Sequence, residues 1–128
     1  DVMGWAVTDD GLSVLFSRDI PHHVRSKFGP AMDRFLDHQG LGRADIDSFV
    51  PHPGGAKVLD ALEELLELPE GGLGDAREVL RLFGNMSAVT VLFVLKRALA
   101  STAPARRRHL LSSLGPGFTA AFAVLEDA

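Results

Sequence analysis

The chain has 128 residues, a length that suits one domain, and 46% of them are hydrophobic, enough for a packed core. Thirteen Lys and Arg against 17 Asp and Glu leave a formal charge of −4, which speaks against a general nucleic-acid binder. The absence of Cys excludes disulfides, thiolate metal sites and a cysteine nucleophile from this chain, and fits a cytoplasmic setting.

In chain order, Trp5-Ala6-Val7 and the run from Leu12 to Phe16 flank Thr8-Asp9-Asp10-Gly11. Asp-Gly between two apolar runs predicts a hairpin. This pattern begins almost at the first residue, without an initiator Met, and points to a segment of a longer polypeptide. Pro21 opens a helix with Val24, Phe28, Met32, Phe35 and Leu36 on one face, and Gly40 and Gly42 end it. Ile46 to Pro51 reads as a short buried strand, with His52 just past its carboxyl end. After Gly54-Gly55 a helix follows, carrying Val58, Leu59, Leu62, Leu65 and Leu66 on one side.

Asp75 and Glu78 resemble a capping box for a third helix, which runs to Phe83 and stops at Gly84. Asn85 to Ser87 link it to a helix from about Ala88 to Ala100, apolar nearly all round and expected to be central and buried. Its apolar run is too short to span a bilayer. A loop from Ser101 to Pro104 leads through Arg106-Arg107-Arg108 to a segment from His109 to Leu114. The turn Gly115-Pro116-Gly117 precedes an alternating strand with Phe118, Ala120, Phe122 and Val124 on one face. The interleaving predicts an α/β fold, with a mixed sheet of five strands covered by helices on both faces.

A His at the carboxyl end of a buried strand, followed by glycines and a helix N-terminus, stands where open α/β sheets place ligands. The same His52 could instead cap a turn. Asn85, between two helices, could donate a hydrogen bond to a developing oxyanion, or serve only as a cap. Gly115-Pro116-Gly117 could hold a rigid turn near a substrate or simply join two strands. His22 and His23 are adjacent, so on a helix they point apart and make a poor metal pair. His38 and His109 have no partner at useful spacing and are expected at the surface.

"FVPHPGGAKVLDALE", "AREVLRLFGNMSAVTVLFVLKRAL" and "LGPGFTAAFAVLE", in that order, resemble the C-terminal half of a type III polyketide synthase. That is the chalcone and stilbene synthase family, with a thiolase-like fold. "MGWAVTDDGLSVLFSRDIP" is closer to the bacterial alkylresorcinol and alkylpyrone synthases than to the plant enzymes. The resemblance covers almost the whole chain and implies His52 and Asn85 as the His and Asn of a Cys-His-Asn set, the Cys belonging to a missing N-terminal half. It implies decarboxylative condensation of malonyl-CoA onto an acyl-CoA starter, with no cofactor beyond the CoA thioesters. Val14, Phe16, Ser87, Gly115, Pro116 and Gly117 would line the substrate pocket, and Gly54, Gly55 and Lys57 would lie near the CoA arm. A small Val14, where plant members often have Phe, would suit a different or larger starter. The loop from Ser101 to Arg106 is shorter than in plant relatives. Inactivity of this half alone, an exposed apolar face and a homodimer are the corollaries.

Two other assignments compete. Ketoacyl synthase III enzymes share the Cys-His-Asn set, but usually follow the His with Gln-Ala-Asn and carry Gly-Asn-Thr-Ser. This chain has Pro-Gly-Gly and Gly-Asn-Met-Ser. A non-catalytic assembly or acyl-binding domain of the same fold would have no need to keep both His52 and Asn85.

Overall fold

The computed structural model describes residues 3–16, 18–101 and 106–128; the side chains of 3 and 14–16 lie outside the description. Strands β1 (Met3–Thr8) and β2 (Gly11–Phe16) form the expected hairpin, with Thr8 opposite Gly11. Gly11 lies at φ +119°, where a glycine is needed to close so tight a link.

The helix opened by Pro21 has two parts: α1 (Ile20–His23) and α2 (Gly29–His38). Between them, Val24 to Phe28 widen into a π-turn, in which Gly29 N–H donates to the Val24 carbonyl. Pro30 has no N–H to give to an α-helical ladder, so the turn before it is where the register can shift. Val24, Phe28, Met32 and Leu36 are all buried along one face, as their spacing predicts.

Strand β3 (Ser48–Pro51) runs into helix α3 (Ala56–Leu65), which buries Val58, Leu59, Ala61 and Leu62. Helix α4 (Gly74–Phe83) follows, and Gly84 at φ +68° ends it. The capping box expected at Asp75 and Glu78 does not form. Glu63, on α3, accepts the Leu73 N–H at 3.2 Å instead, while Glu78 pairs with Arg81 and Asp75 with Arg97. A carboxylate from a neighbouring helix thus satisfies a backbone donor at the N-cap of α4.

Helix α5 (Thr90–Leu99) contacts β3 and β4 (Arg108–Gly115), burying Thr90, Val94 and Ala98. It is not buried all round, as its composition suggests. Leu92, Phe93 and Leu99 are exposed, and Phe93 lies against exposed Phe83 with ring centres 5.6 Å apart.

The final strand is β5 (Thr119–Glu126), antiparallel to β4, while β3 is parallel to β4. The chain is therefore α/β with a mixed sheet, but the strands expected in one sheet are divided. Among the described residues, β3-β4-β5 form one sheet and the hairpin β1-β2 another. Phe35 stacks on Phe122 of β5 and Phe28 lies tilted against it, so the helix of the π-turn covers that face. The loop predicted over 101–106 falls mainly on residues 102–105, which lie outside the described residues.

His109 is a correction: it is fully buried, with Nε2 2.7 Å from Asp127 Oδ1. Arg107 joins the same carboxylate at 3.0 Å and donates to the Ala98 carbonyl at 3.4 Å. This cluster ties the last residues of the chain to the start of β4 and the end of α5.

Candidate active site

The site starts from the sheet ladder. His52 N–H donates to the Ser112 carbonyl at 2.7 Å, carrying the β3-β4 pairing one residue past the strand. Gly54 N–H then closes back on the His52 carbonyl at 2.9 Å. These two bonds hold the imidazole at the carboxyl end of β3, with the residue only 8% exposed. Its Nδ1 is buried without a hydrogen-bond partner. Burial pushes the His52 pKa below the ordinary imidazole value, because the charged form loses hydration there.

At neutral pH His52 is therefore neutral, with one ring nitrogen able to donate and the other to accept. As pH falls through about 6.5, the unfolded chain takes up a proton before the folded one does, so this residue contributes less stability in acid. An NMR titration of the chain should show His52 with a midpoint below 6.5. A midpoint at or above that value would contradict desolvation as the dominant influence.

Asn85 sits in the link between α4 and the 3-10 turn Ser87–Val89. Its Oδ1 accepts the Ser87 N–H at 2.8 Å, and its Nδ2 donates to the Gly54 carbonyl at 3.4 Å. The Ser87 bond fixes which way the amide is turned. It leaves the NH2 group, with a second hydrogen to give, on the side of the histidine loop. Ser87 holds a left-handed conformation at φ +64°, costly for a non-glycine residue and retained by its surroundings. Thr90 supplies part of that restraint: its hydroxyl donates to the Ser87 carbonyl at 2.6 Å and accepts from Met86 N–H at 2.9 Å.

His52, Gly54, Asn85, Ser87, Gly115 and Pro116 all line one cavity of about 470 Å³. Two elements far apart in sequence, the β3-α3 loop and the α4-α5 link, thus meet over a shared space, with the β4-β5 turn on another side. Gly117 of that turn is not among the lining residues, and the side chains of Val14 and Phe16 lie outside the described residues. Val14 is paired across the hairpin with Trp5, which does line the cavity, as do Gly4 and Ser113. Sequence patterning missed Trp5 because an aromatic in a hairpin reads as ordinary strand. It missed Ser113 because alternate residues of a strand cannot be assigned to a cavity without the fold.

A second cavity of about 410 Å³ shares Gly54 with the first and is lined by Gly55, Lys57 and Arg18. Gly54, Gly55 and Lys57 thus gather at the opening turn of α3, with a second cation, Arg18, beside them. Two cations and a helix N-terminus favour an anionic group there. Arg18 was not distinguishable in sequence from any other exposed arginine.

Residues 1–127 match the family model described as chalcone and stilbene synthases, C-terminal domain. The chain is 43% identical over 120 residues to a Bacillus subtilis (strain 168) protein named for chalcone synthase, which covers 93% of this chain and 33% of that protein. It is 37% identical to the 1,3,6,8-tetrahydroxynaphthalene synthase of Streptomyces peucetius subsp. caesius, over 97% of this chain and 33% of the synthase. The crystal structure of PKS-I from the brown alga Ectocarpus siliculosus superposes with a TM-score of 0.86 and 30% identity, covering all of this chain and 36% of that one. The chain thus spans about a third of the length of the curated relatives it matches.

Proposed function

The chain belongs to the chalcone and stilbene synthases, as their C-terminal domain, and from that premise we propose that it supplies the His and Asn of a type III polyketide synthase. Its relatives include polyketide synthases, which are acyltransferases. The observation that carries the proposal is the shared cavity: His52 and Asn85 line it together, and Gly54, whose N–H donates to the His52 carbonyl, accepts from Asn85 through its own carbonyl.

In this mechanism a Cys, from the part of the relatives' length that this chain does not span, attacks an acyl-CoA starter. The neutral His52 takes the thiol proton, and the resulting thiolate, an opposite charge at short range, favours the imidazolium. The acyl group passes to sulfur and CoA leaves. Malonyl-CoA then loses CO2, and electron density moves onto its thioester oxygen. His52 and the Asn85 NH2 group donate hydrogen bonds to that oxygen. The enolate carbon attacks the acyl-enzyme, the thiolate leaves, and the chain is two carbons longer. Repeated extension and ring closure take place in the cavity lined by Trp5, Ser87, Gly115 and Pro116, with Val14, Phe16 and Gly117 assigned to the same space by resemblance. Gly54, Gly55 and Lys57 would face the CoA arm, and Arg18 stands beside them for its phosphates.

No cofactor beyond the CoA thioesters enters the mechanism. Among the described residues no helix is long and apolar enough to cross a membrane, and a cytoplasmic setting agrees with the use of CoA thioesters. The exposed apolar residues of α5 and its neighbour Phe83 suit coverage by the rest of a synthase, or by a second copy in a homodimer.

The 128-residue chain alone should release no CO2 from malonyl-CoA above background, whereas a polypeptide that also carries the region with the Cys should turn over. Turnover by this chain by itself would remove the assignment of the nucleophile to another segment.

A further inference from the structure

We propose that His23 is a positioning residue that fixes the floor of the His52–Asn85 cavity through its contact with Phe118, and so sets how far a chain is extended before it cyclises. The proposal rests on the polyketide synthase function proposed above.

The His23 ring lies on the Phe118 ring, with centres 5.5 Å apart and planes at 47°. Phe118 ends the turn Pro116–Phe118, and Gly115 and Pro116, at the start of that turn, line the cavity. The conformation of this turn is unusual. Gly117 lies at φ +69° and Phe118 at φ +58°, two left-handed residues in succession. Glycine adopts that region freely, but a bulky aromatic residue does so only where its surroundings hold it there.

Several groups provide that restraint. The Thr119 hydroxyl donates to the Pro116 carbonyl at 3.0 Å, and β1 packs against the turn. His23 is the ring contact that reaches the turn from a helix. It carries a cost of its own, since Nδ1 is buried with no hydrogen-bond partner. A buried ring nitrogen without a partner is destabilising. Two unfavourable features therefore coincide at one contact beside a reaction cavity, where such strain has a use.

The consequence is mechanical. With the imidazole in place, Phe118 cannot swing to an ordinary negative φ, and Pro116 and Gly115 stay where they bound the cavity. Without it, the turn can relax away from Trp5 and His52. The cavity then gains depth at its floor while His52 and Asn85 keep their own anchors, the Ser112 carbonyl and the Ser87 N–H. Chain length should respond and decarboxylation should not.

The experiment uses the full-length polypeptide with His23→Ala, His23→Phe and Phe118→Gly, an acyl-CoA starter and malonyl-CoA. Products are separated by number of extensions, CO2 release is measured, and amide hydrogen exchange is followed at Gly115, Gly117 and Phe118, the positions of 115–118 that carry an amide hydrogen. His23→Ala and Phe118→Gly should each change the ratio of extension products at least about fivefold. CO2 release should stay within about twofold, and exchange at 115–118 should quicken. His23→Phe, which keeps a ring on Phe118, should restore the wild-type ratio. An unchanged product ratio in both His23→Ala and Phe118→Gly would overturn the proposal. If the wild type itself forms no condensation product, the function it rests on fails. Exchange then still decides the contact: protection at 115–118 unaffected by His23→Ala overturns it, and faster exchange sustains it. If His23→Ala does not fold, Phe118→Gly and His23→Phe carry the same two readouts.

Discussion

In the full-length polypeptide, His52→Ala or Asn85→Ala should lower the condensation rate by about two to four orders of magnitude, the usual loss for a general base or an oxyanion donor. The two losses should differ in kind. In the proposed mechanism His52 takes the thiol proton and donates to the enolate oxygen, so its removal should slow acyl loading as well as decarboxylation. Asn85 acts in that mechanism only at the oxygen, so loading should survive. Asn85→Asp sharpens the test. The aspartate keeps an oxygen to accept the Ser87 N–H, the bond now 2.8 Å long, and so preserves the local fold. It replaces an NH2 donor with an anionic acceptor facing a developing negative charge. Its decarboxylation rate should be as low as that of Asn85→Ala, with loading unimpaired. A wild-type rate in Asn85→Asp would remove the oxyanion role.

Arg77→Met is the substitution expected to cost most stability. Arg77 joins α4 to α3 by donating to both oxygens of Glu63, at 2.9 and 2.7 Å, and to Asp60 at 2.6 Å. The Glu63 side chain is only 9% exposed, so without Arg77 a carboxylate is left buried and uncompensated. Breaking such a pair typically costs several kcal/mol. Because the Arg77 side chain is 32% exposed and water can reach the vacated space, about 2–3 kcal/mol is expected. The Arg77 hydrogen bond holds the Glu63 pKa below the ordinary carboxylate value, with the Leu73 N–H assisting. A depressed folded pKa contributes stability above the unfolded pKa of about 4.3, lost as pH falls through the folded value. In Arg77→Met the bond that depresses that pKa is gone while burial still raises it, so the stability lost in acid should be smaller than in the wild type. Urea unfolding of the full-length polypeptide at several pH values measures both effects. The double variant Glu63→Leu/Arg77→Met should recover most of the loss. A single variant as stable as wild type would show that Glu63 is solvated without its partner.

What was legible in the chain was local. Asp10-Gly11 between apolar runs gave the hairpin, and the spacing of Val24, Phe28, Met32 and Leu36 gave the buried face of the first helix. The run ending at Pro51 placed His52 at a strand's carboxyl end, because a short apolar run followed by Pro-Gly-Gly has few other solutions. What was hidden depends on distant partners. The division into two sheets is decided by which strands meet across long separations, and alternation within a strand carries no information about its neighbour. Asp75 and Glu78 have the spacing of a capping box, but Arg97 and Arg81 compete for them, and Glu63 takes the Leu73 N–H. His109 looked like a surface residue because its carboxylate, Asp127, lies 18 positions away. Helix α5 looked central because its composition is apolar all round. In this chain only the face with Val94 and Ala98 finds cover, and Leu92 and Phe93 do not. The cavity shows the same division: His52 and Asn85 stood out beside glycines, whereas Trp5 and Ser113 could be assigned only once the hairpin and β4 were in place.

The joint action of an imidazole and an amide on one oxygen is tested most directly by a double-mutant cycle on malonyl-CoA decarboxylation. His52→Ala, Asn85→Ala and the double variant would be compared in the full-length polypeptide. Groups that stabilise the same charge are strongly non-additive, so the double variant should fall no more than about threefold below the slower single variant. A double variant slowed by the full product of the two separate losses would mean that the residues act independently, and the shared-oxygen mechanism would be wrong.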